Sequence, residues 1–593
     1  MNGLSFKILP SASALTAGIN MVLPNHHINF QKCETNLNVG IFFDGTGNNR
    51  EHDRNTHRDS NISRLFDAYE NHIEQGYYGH YIPGVGTPFP EIGEKGENWL
   101  DQGFGIGCES RVIFALLMML EYLHRRSFDN RYLFKDDEII ALCRDTDQRT
   151  MVGYRILARI DTKYHGVIPP MRRENELRGF LRQLAIALED KLRAGKPRIV
   201  ECFLDVFGFS RGAAQARVFC RWLSDMLVDG KLAGIPLRFR FVGLMDTVAS
   251  AGVLTNAKAL ATIDTGGHSG WALAEFLRLP SAVENCVHMV AMHELRRTFP
   301  LDEIGHNGIL PPGCHQYAYP GSHSDVGGGY APGELGASVG KTPQESDSLK
   351  LSQIPLNHML DCAIATGVPI ERPMVRAGAH DAFAIHPRLA QAYQDFLSAV
   401  TLTPTSASEH MQHYLNWRWQ MRAHFPYSNQ IKRASEADRE KLLRFNRSLL
   451  ADAAFLLSAT QKASGMARVK QLLREIVKPV GRDQMKEHFF DPEARDVLTK
   501  AQRSEPSHPA FAVLFEDFVH DSLAGFDHPV FEYTGYWRYR KAYCGEDHIL
   551  HTSTDDAEMV QAIVPVAGKR KRPTTPAKKH GVIRRGTPIR HGW

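Results

Sequence analysis

The clearest chemical signal in the sequence is Ser210, the middle residue of the pentapeptide GFSRG (residues 208–212). The pentapeptide follows an apolar run rich in β-forming residues, Ile199 to Phe207, and precedes a segment of helical character. In ester hydrolases, a G-x-S-x-G sequence between a strand and a helix makes a tight turn that exposes a nucleophilic serine. Gly208 and Gly212 suit such a turn, because a side chain at either position would clash with neighbouring backbone. A plain packing turn is the alternative interpretation.

A serine nucleophile needs a base to take its proton and an acid to orient that base, and the chain offers both in the order Ser, Asp, His. Asp246 follows the apolar run Phe239–Met245, which places it at the carboxyl end of a predicted strand. His323 lies in YPGSHSDVGGGY (residues 319–330), a loop whose glycines let backbone approach a ligand. We therefore predict that Ser210, Asp246 and His323 form a catalytic triad. An N-cap role is the alternative for Asp246.

Three further residues compete for the roles of base and acid. His520 lies in the sequence VHDS, His293 follows a predicted strand in MHELRR, and Asp325 is two residues after His323. The chain has 28 histidines, so one histidine alone carries little information. The glycine-rich surroundings favour His323, and we assign supporting roles to the others, Asp325 included.

The loop DGTGNN after the first predicted strand is the expected source of part of an oxyanion hole. The Arg211 N–H, at the start of a helix, is one predicted donor, and the N–H of Gly45 or Thr46 is the other. The Asp44 side chain is expected to stabilise the turn. An aspartyl phosphotransferase also carries D-x-D-G-T after such a strand, but its nucleophilic Asp falls on Phe42 here, which excludes that class. A plain turn after the strand is the remaining alternative.

The elements that must position these residues alternate between strand and helix, which predicts an α/β fold with a mainly parallel sheet and helical insertions. After the first strand, near the DGTGNN loop, the predicted strands are Ile199–Phe207, Phe239–Met245 and Cys286–Met292. The predicted helices between them are 173–194 and 211–227. Longer helical stretches follow at 406–424 and 437–478.

Changes in composition along the chain predict four parts. Residues 1–30 are irregular, 31–349 form the catalytic core with helical insertions, 350–566 form a mostly helical accessory, lid or membrane-contacting region, and 567–593 form a basic flexible tail. The core boundary falls in the Pro- and Ser-rich stretch 333–348. The tail is either a solvated end or a docking strip for an acidic partner or an anionic lipid.

Composition excludes several classes of protein. The 593 residues are 43% hydrophobic and 23% charged, typical of a globular protein rather than a disordered or fibrous chain. The tail carries nine Lys and Arg and no acid, so the rest of the chain is mildly acidic although the net charge is +4. We therefore expect no nucleic-acid partner. Nine cysteines without a C-x-x-C pair predict synthesis in a reducing cytoplasm. Neither a transmembrane helix nor a signal peptide is predicted.

Five ordered motifs between residues 41 and 330 resemble a known family. They are IFFDGTGNN, YIPGVGT, GFSRGAAQAR, GLMDTVAS and YPGSHSDVGGGY, and GYWRYR (residues 535–540) extends the likeness weakly. Together they resemble the GFSRG-type lipase effectors of bacterial type VI secretion, which are α/β-hydrolases. The resemblance implies an esterase that acts on glycerophospholipids, with the catalytic Ser, Asp and His of the family at Ser210, Asp246 and His323. It also implies delivery by the secretion spike, without a signal peptide, into the periplasm of a rival bacterium, and an immunity protein in the producer.

The predicted chemistry is a phospholipase A reaction through an acyl-enzyme that needs no metal or cofactor. The apolar stretch Leu449–Leu457 is a candidate for membrane contact, with core packing as its alternative. Two other functions are consistent with the sequence. One is a serine esterase for a different ester, and the other is a catalytically silent interaction module that uses the basic tail.

Overall fold

The structure is a computed structural model. It describes residues 34–96, 107–144, 148–168, 174–249, 270–305, 309–376, 379–400, 407–458, 492–525, 535–543 and 550–551. The predicted irregular segment 1–30 and the basic tail 567–593 lie outside these residues.

A mostly parallel sheet forms the centre of the fold. Its strand order is β2-β1-β3-β5-β6-β8, all parallel, with β4 added antiparallel to β5, and a second small sheet has the order β10-β9-β7. The strands are β1 (Glu34–Phe43), β2 (Tyr77–Ile82), β3 (Arg198–Phe209), β4 (Lys231–Leu232), β5 (Ile235–Met245), β6 (Cys286–Ala291), β7 (Leu301–Asp302), β8 (Cys314–Tyr319), β9 (Ala542–Tyr543) and β10 (Leu550–His551).

Helices follow the strands and continue through the later part of the chain. They are α1 (Arg50–Asp53), α2 (Asn61–Ala68), α3 (Cys108–Ser127), α4 (Asp136–Cys143), α5 (Arg149–Ile160), α6 (Glu174–Arg193), α7 (Arg211–Met226), α8 (Ala274–Leu277), α9 (His323–Gly327), α10 (Pro343–Ser348), α11 (Gln353–Ala365), α12 (Pro387–Ala399), α13 (Ala407–Met421), α14 (Asn429–Arg433), α15 (Glu436–Ser458), α16 (Pro492–Arg503), α17 (Pro509–Asp517) and α18 (Ser522–Gly525).

Successive residues of each strand point to opposite sides of the sheet, and each side is covered by its own apolar core. Ile41 and Val206 face a core that is completed by apolar residues of α3, α6 and α7. Their neighbours Phe42 and Phe207 face the other core, which extends through α11 and α13 to Phe515 of α17. These helices, which follow residue 349, therefore pack directly on one face of the central sheet.

The predicted fold class is confirmed. The predicted strands Ile199–Phe207 and Phe239–Met245 lie within β3 and β5, and the predicted strand Cys286–Met292 extends one residue beyond β6. The predicted helices 173–194, 211–227 and 406–424 correspond to α6, α7 and α13 with small shifts at their ends. Of the predicted helix 437–478, residues up to 458 lie in α15, and residues 459–478 lie outside the described residues. The division of the chain near residue 349 stays a prediction.

The register of the sheet brings the ends of its strands together. Phe43 of β1 pairs with Gly208 of β3, Phe209 of β3 with Met245 of β5, and Met245 with Met289 of β6. The loops after these parallel strands therefore open at one edge, where α/β proteins bind their ligands.

The apolar stretch Leu449–Leu457 belongs to α15 and is amphipathic rather than wholly exposed. Leu449 and Leu456 are buried in the core, whereas Leu450 and Leu457 are 41% and 42% exposed. Core packing thus accounts for one side of the stretch. Among the described residues, no helix combines the length and apolarity needed to cross a membrane.

Candidate active site

Ser210 occupies a strained turn between β3 and α7. Its φ of 58° and ψ of −126° lie in a region that non-glycine residues rarely adopt. The Ser210 N–H donates to the Met245 carbonyl at 3.0 Å, and the Ser210 carbonyl accepts from Ala213 N–H at 3.1 Å. These bonds hold the serine between the end of β5 and the first turn of α7. The helix N-terminus directs positive potential toward this position.

The two glycines of the pentapeptide lie where no side chain fits. A Cβ on Gly208 would lie 2.6 Å from the Gly212 carbonyl oxygen, and a Cβ on Gly212 would lie 2.3 Å from the Phe43 carbonyl oxygen. The close approach at Gly212 is to the end of β1, so the turn at Ser210 and the loop that follows β1 are in direct contact.

Asp246 and His323 form a buried hydrogen-bonded pair. His323 Nδ1 lies 2.6 Å from Asp246 Oδ2, and both residues are fully or almost fully buried. Asp246 directly follows β5, with a φ of 43°. His323 begins the short helix α9 rather than lying in an extended loop, because Ser322 and Asp325 form a capping box at its start. With Nδ1 bonded to a carboxylate, Nε2 is the nitrogen left for proton transfer.

The loop after β1 lies beside the serine turn. A Cβ on Gly45 would lie 2.5 Å from the Phe209 ring, directly before Ser210. The Gly45 N–H already donates to Asp44 Oδ1 at 2.7 Å. Of the two predicted oxyanion donors, the Thr46 N–H is therefore the one that this bond does not occupy. Asp44 is buried and also accepts from the Tyr81 hydroxyl at 2.6 Å. Burial raises the pKa of Asp44 to about 7, against the opposing hydrogen bonds.

Comparison with protein families identifies the family of the chain. A family model described as the catalytic domain of Tle1-like phospholipase effectors of the type VI secretion system matches residues 38–229 and 229–362. The chain belongs to this family. The match covers more than half of the chain and includes Ser210, Asp246 and His323. The protein is therefore a secreted phospholipase effector of the type VI system, an ester hydrolase and an antibacterial toxin.

Solved structures provide a further comparison. A crystal structure of an uncharacterized protein from Pseudomonas aeruginosa shares 22% identity and covers 86% of this chain and 80% of that chain, with a TM-score of 0.64. The structure of the Tle1 effector bound to the VgrG spike from the Type 6 secretion system shares 19% identity, covers 64% of this chain and 84% of that chain, and has a TM-score of 0.31. The first likeness shows the fold. Among curated protein sequences, none matches the chain significantly.

One residue at the site of this Tle1-like effector was not expected from the sequence. The Arg540 guanidinium donates to both carboxylate oxygens of Asp246, at 2.6 Å and 2.9 Å. Arg540 lies in the GYWRYR segment, which the sequence marks only by its likeness to the family. Arg540 and Asp246 are 294 positions apart in the sequence, which explains why no local pattern could reveal the contact.

The charges around the pair favour an ionised acid and a neutral base. Burial alone would raise the pKa of Asp246, but the Arg540 guanidinium and the His323 hydrogen bond outweigh it and hold the pKa well below its usual range. Burial lowers the pKa of His323, and the bond to Asp246 only partly opposes this effect. The buried Glu294 carboxylate accepts from the His323 backbone N–H at 3.0 Å and pairs with Arg296.

The competing residues have other partners in the effector. His520 Nδ1 lies 2.6 Å from Asp325 Oδ1, and Asp325 Oδ2 accepts from Ser322 N–H at 2.9 Å. The His293 Nδ1 accepts from Gly321 N–H at 2.9 Å. All three therefore contact the turn that carries His323 and contribute to holding it, as supporting polar groups would.

Among the described residues, one group of side chains away from the triad could in principle hold a metal ion. Ligand atoms of His57, Asp347 and His380 lie within 4.8 Å of one another. The Asp347 carboxylate already pairs with Arg64 at 2.8 Å and Lys350 at 2.6 Å. Because two cations neutralise this carboxylate and would repel a metal ion, we interpret the group as a buried ion-pair network. The expectation that catalysis needs no metal or cofactor stays a prediction.

Proposed function

We propose that this effector hydrolyses carboxylic ester bonds of membrane glycerophospholipids, as a phospholipase A, through the triad Ser210, His323 and Asp246. The observation that carries the proposal is the 2.6 Å bond between His323 Nδ1 and Asp246 Oδ2, beside a strained serine at a strand-to-helix turn. Serine hydrolases combine these features because a serine hydroxyl becomes a good nucleophile only beside an oriented base.

In the proposed reaction, His323 Nε2 takes the proton of Ser210 Oγ as the oxygen attacks the acyl carbonyl. The resulting oxyanion accepts hydrogen bonds from the backbone N–H groups of Arg211 and Thr46. His323 then gives the proton to the departing lysophospholipid oxygen, which leaves an acyl-serine. Water, deprotonated by His323, attacks that ester and releases a fatty acid, while Asp246 stabilises the imidazolium in both steps.

Among the described residues, no hydrogen bond joins Ser210 to His323 in the free enzyme. Catalytic hydrogen bonds are often long before substrate binds and shorten in the Michaelis complex. The contact between Phe209 and His323, with ring centroids 4.6 Å apart, keeps the serine turn and the base next to each other.

Family membership supports the wider part of the proposal. The effector would travel on the spike of the type VI apparatus, reach the periplasm of a target cell, and hydrolyse its membrane lipids. The producer would make a cognate immunity protein. The Tle1 effector of the solved complex is described as bound to the VgrG spike.

The test is fatty-acid release from vesicles of phosphatidylethanolamine and phosphatidylglycerol. The wild type, Ser210→Ala and Ser398→Ala would be compared, with folding of each checked by circular dichroism. Ser398 is a matched control because it is an exposed serine of α12 that bonds only its own helix, at Gln394 O. Lipids with different acyl chains at the two positions would show which ester is cut.

Release by the wild type and Ser398→Ala, with none by Ser210→Ala, is the expected result. Equal release by Ser210→Ala would remove Ser210 from the mechanism. Release from a simple soluble ester but not from vesicles would instead favour an esterase for another substrate.

A further inference from the structure

The Asp246 carboxylate is saturated by four donors. Its Oδ1 accepts from Ala291 N–H at 2.7 Å and from Arg540 at 2.9 Å, and its Oδ2 accepts from His323 at 2.6 Å and from Arg540 at 2.6 Å. The Arg540 guanidinium thus binds both oxygens of the carboxylate. A planar two-point contact of this kind fixes the plane of the carboxylate as well as its position.

The segment that carries Arg540 is itself firmly held. On one side, the Lys541 carbonyl accepts from Leu301 N–H at 2.8 Å, and β9 pairs in parallel with β7. On the other side, the guanidinium of Arg538 binds Asp452 of α15 at 2.8 Å. Arg540 also donates to the Ala291 carbonyl at the end of β6. The guanidinium therefore has little freedom to leave Asp246.

We propose that Arg540, from the C-terminal region, is a positioning residue that sets both the orientation and the basicity of the catalytic His323 through Asp246. The inference rests on the proposed triad. Its first part follows from geometry, because a carboxylate held at both oxygens presents Oδ2 to His323 Nδ1 in one orientation.

The second part follows from charge. An unpaired Asp246 carboxylate would strongly favour the protonated form of His323, and Arg540 cancels much of that charge. Two other charged groups face the imidazole: Glu294, which accepts from its backbone N–H, and Arg296, which pairs with Glu294. Because these two compensate each other, Arg540 determines how much of the Asp246 charge His323 experiences. The accessory region thereby completes the active centre, in addition to covering the sheet.

The test compares Arg540→Met with Arg540→Lys and with Arg538→Met. Methionine removes the charge and lysine keeps it with one point of contact. Arg538→Met is the matched control, because it breaks a buried ion pair in the same segment, two residues away, without touching Asp246. For each variant, kcat, KM and the pH profile of kcat/KM would be measured on a soluble short-chain ester, with Ser210→Ala as background.

For Arg540→Met we expect kcat to fall about 100-fold with KM within about threefold, and the acid limb of the profile to move up by about one pH unit. Arg540→Lys should lose less activity and keep the acid limb near that of the wild type. Arg538→Met should keep the wild-type acid limb whatever it does to stability.

An unchanged acid limb in Arg540→Met, or the same shift in Arg538→Met, would overturn the inference and leave the triad intact. If Arg540→Met does not fold, an Arg540→Lys variant with a full wild-type kcat would overturn the role of two-point contact. Activity in Ser210→Ala would instead remove the triad itself, so the two failures are distinguishable.

Discussion

The ring of Phe209 lies against the imidazole of His323, with centroids 4.6 Å apart and planes inclined by 33°. Phe209 directly precedes Ser210, so the turn that carries the nucleophile and the helix that carries the base pack on each other through this ring. Phe299 also contacts the imidazole, edge to face, at 5.3 Å. These contacts limit the imidazole to orientations close to the one that Asp246 selects.

Gly327→Ala tests this contact. A Cβ on Gly327 would lie 1.9 Å from Phe209 Cε2, so the ring must move and the imidazole with it. We expect kcat to fall by about 10-fold or more and the free energy of unfolding to fall by about 1–3 kcal/mol. Gly179→Ala is the control, because Gly179 is an exposed position of α6 with no neighbouring atom near the added Cβ, and it should be neutral or stabilising. A wild-type kcat in Gly327→Ala would contradict the role of the ring.

The sequence predicts the parts of the fold and site that depend on local pattern. The strand before Ser210 and the glycines around it are recognisable because an apolar run and a tight turn each leave a short signature. β8 is not predicted from the sequence, because the polar residues His315 and Gln316 interrupt its apolar pattern. Gln316 is accommodated in the core by a 2.9 Å bond between its Oε1 and His288 Nδ1 on the neighbouring strand. β2 is not predicted for a similar reason, since it carries the polar, half-buried His80, whose Nδ1 lies 2.6 Å from the Tyr122 hydroxyl.

Contacts between distant segments leave no such signature. The pairing of Asp325 with His520 and of Asp246 with Arg540 joins residues 195 and 294 positions apart. The start of α9 at His323 was predictable in principle, because Ser322 and Asp325 have the spacing of a capping box. The glycines around it favoured a loop instead.

The pH profile of the enzyme should report the lowered pKa of His323. The base must be neutral to accept the serine proton, so kcat/KM falls as the pH drops through the pKa of His323 in the free enzyme. Burial holds this pKa below the ordinary value of 6.5. We therefore expect the midpoint of the acid limb to lie below about pH 6.5 on a soluble ester. An acid limb at or above that value would mean that His323 is not the titrating base.

The two Asp–His pairs should respond differently to loss of charge. Asp246→Asn removes the partner that selects the His323 tautomer, and we expect kcat to fall by about 1,000-fold or more. Asp325→Asn weakens the cap of α9 and the bond to His520, so its main effect should be a loss of about 1–3 kcal/mol of stability. Chemical unfolding and kcat would be measured for both. A stable Asp325→Asn with the larger loss of kcat would make Asp325 the catalytic acid.

Thr46→Val separates a catalytic from a structural role for the Thr46 hydroxyl. This Oγ1 is buried and has no hydrogen-bond partner among the described residues, although it lies in the loop that touches the serine turn. If it donates to the oxyanion, valine should lower kcat about 10- to 100-fold without loss of stability. Thr46→Ser keeps the hydroxyl and should retain most activity. Full activity of the valine variant would assign the loop only its backbone donor.

Asp44→Asn should change how stability depends on pH. In the unfolded chain Asp44 ionises near its ordinary value of 3.8, whereas burial raises its pKa in the folded enzyme to about 7. The folded state therefore loses stability as pH rises between these values, and the full cost remains above the higher one. Asparagine carries no such cost, so its stability relative to the wild type should rise by on the order of 2 kcal/mol between about pH 5 and about pH 8. Urea unfolding at both pH values measures this difference, with Asp190→Asn, an exposed acid of α6, as control. A difference that stays constant between the two pH values would show that Asp44 is already ionised and well solvated in the folded loop at pH 5, and therefore not the buried acid that stabilises the turn.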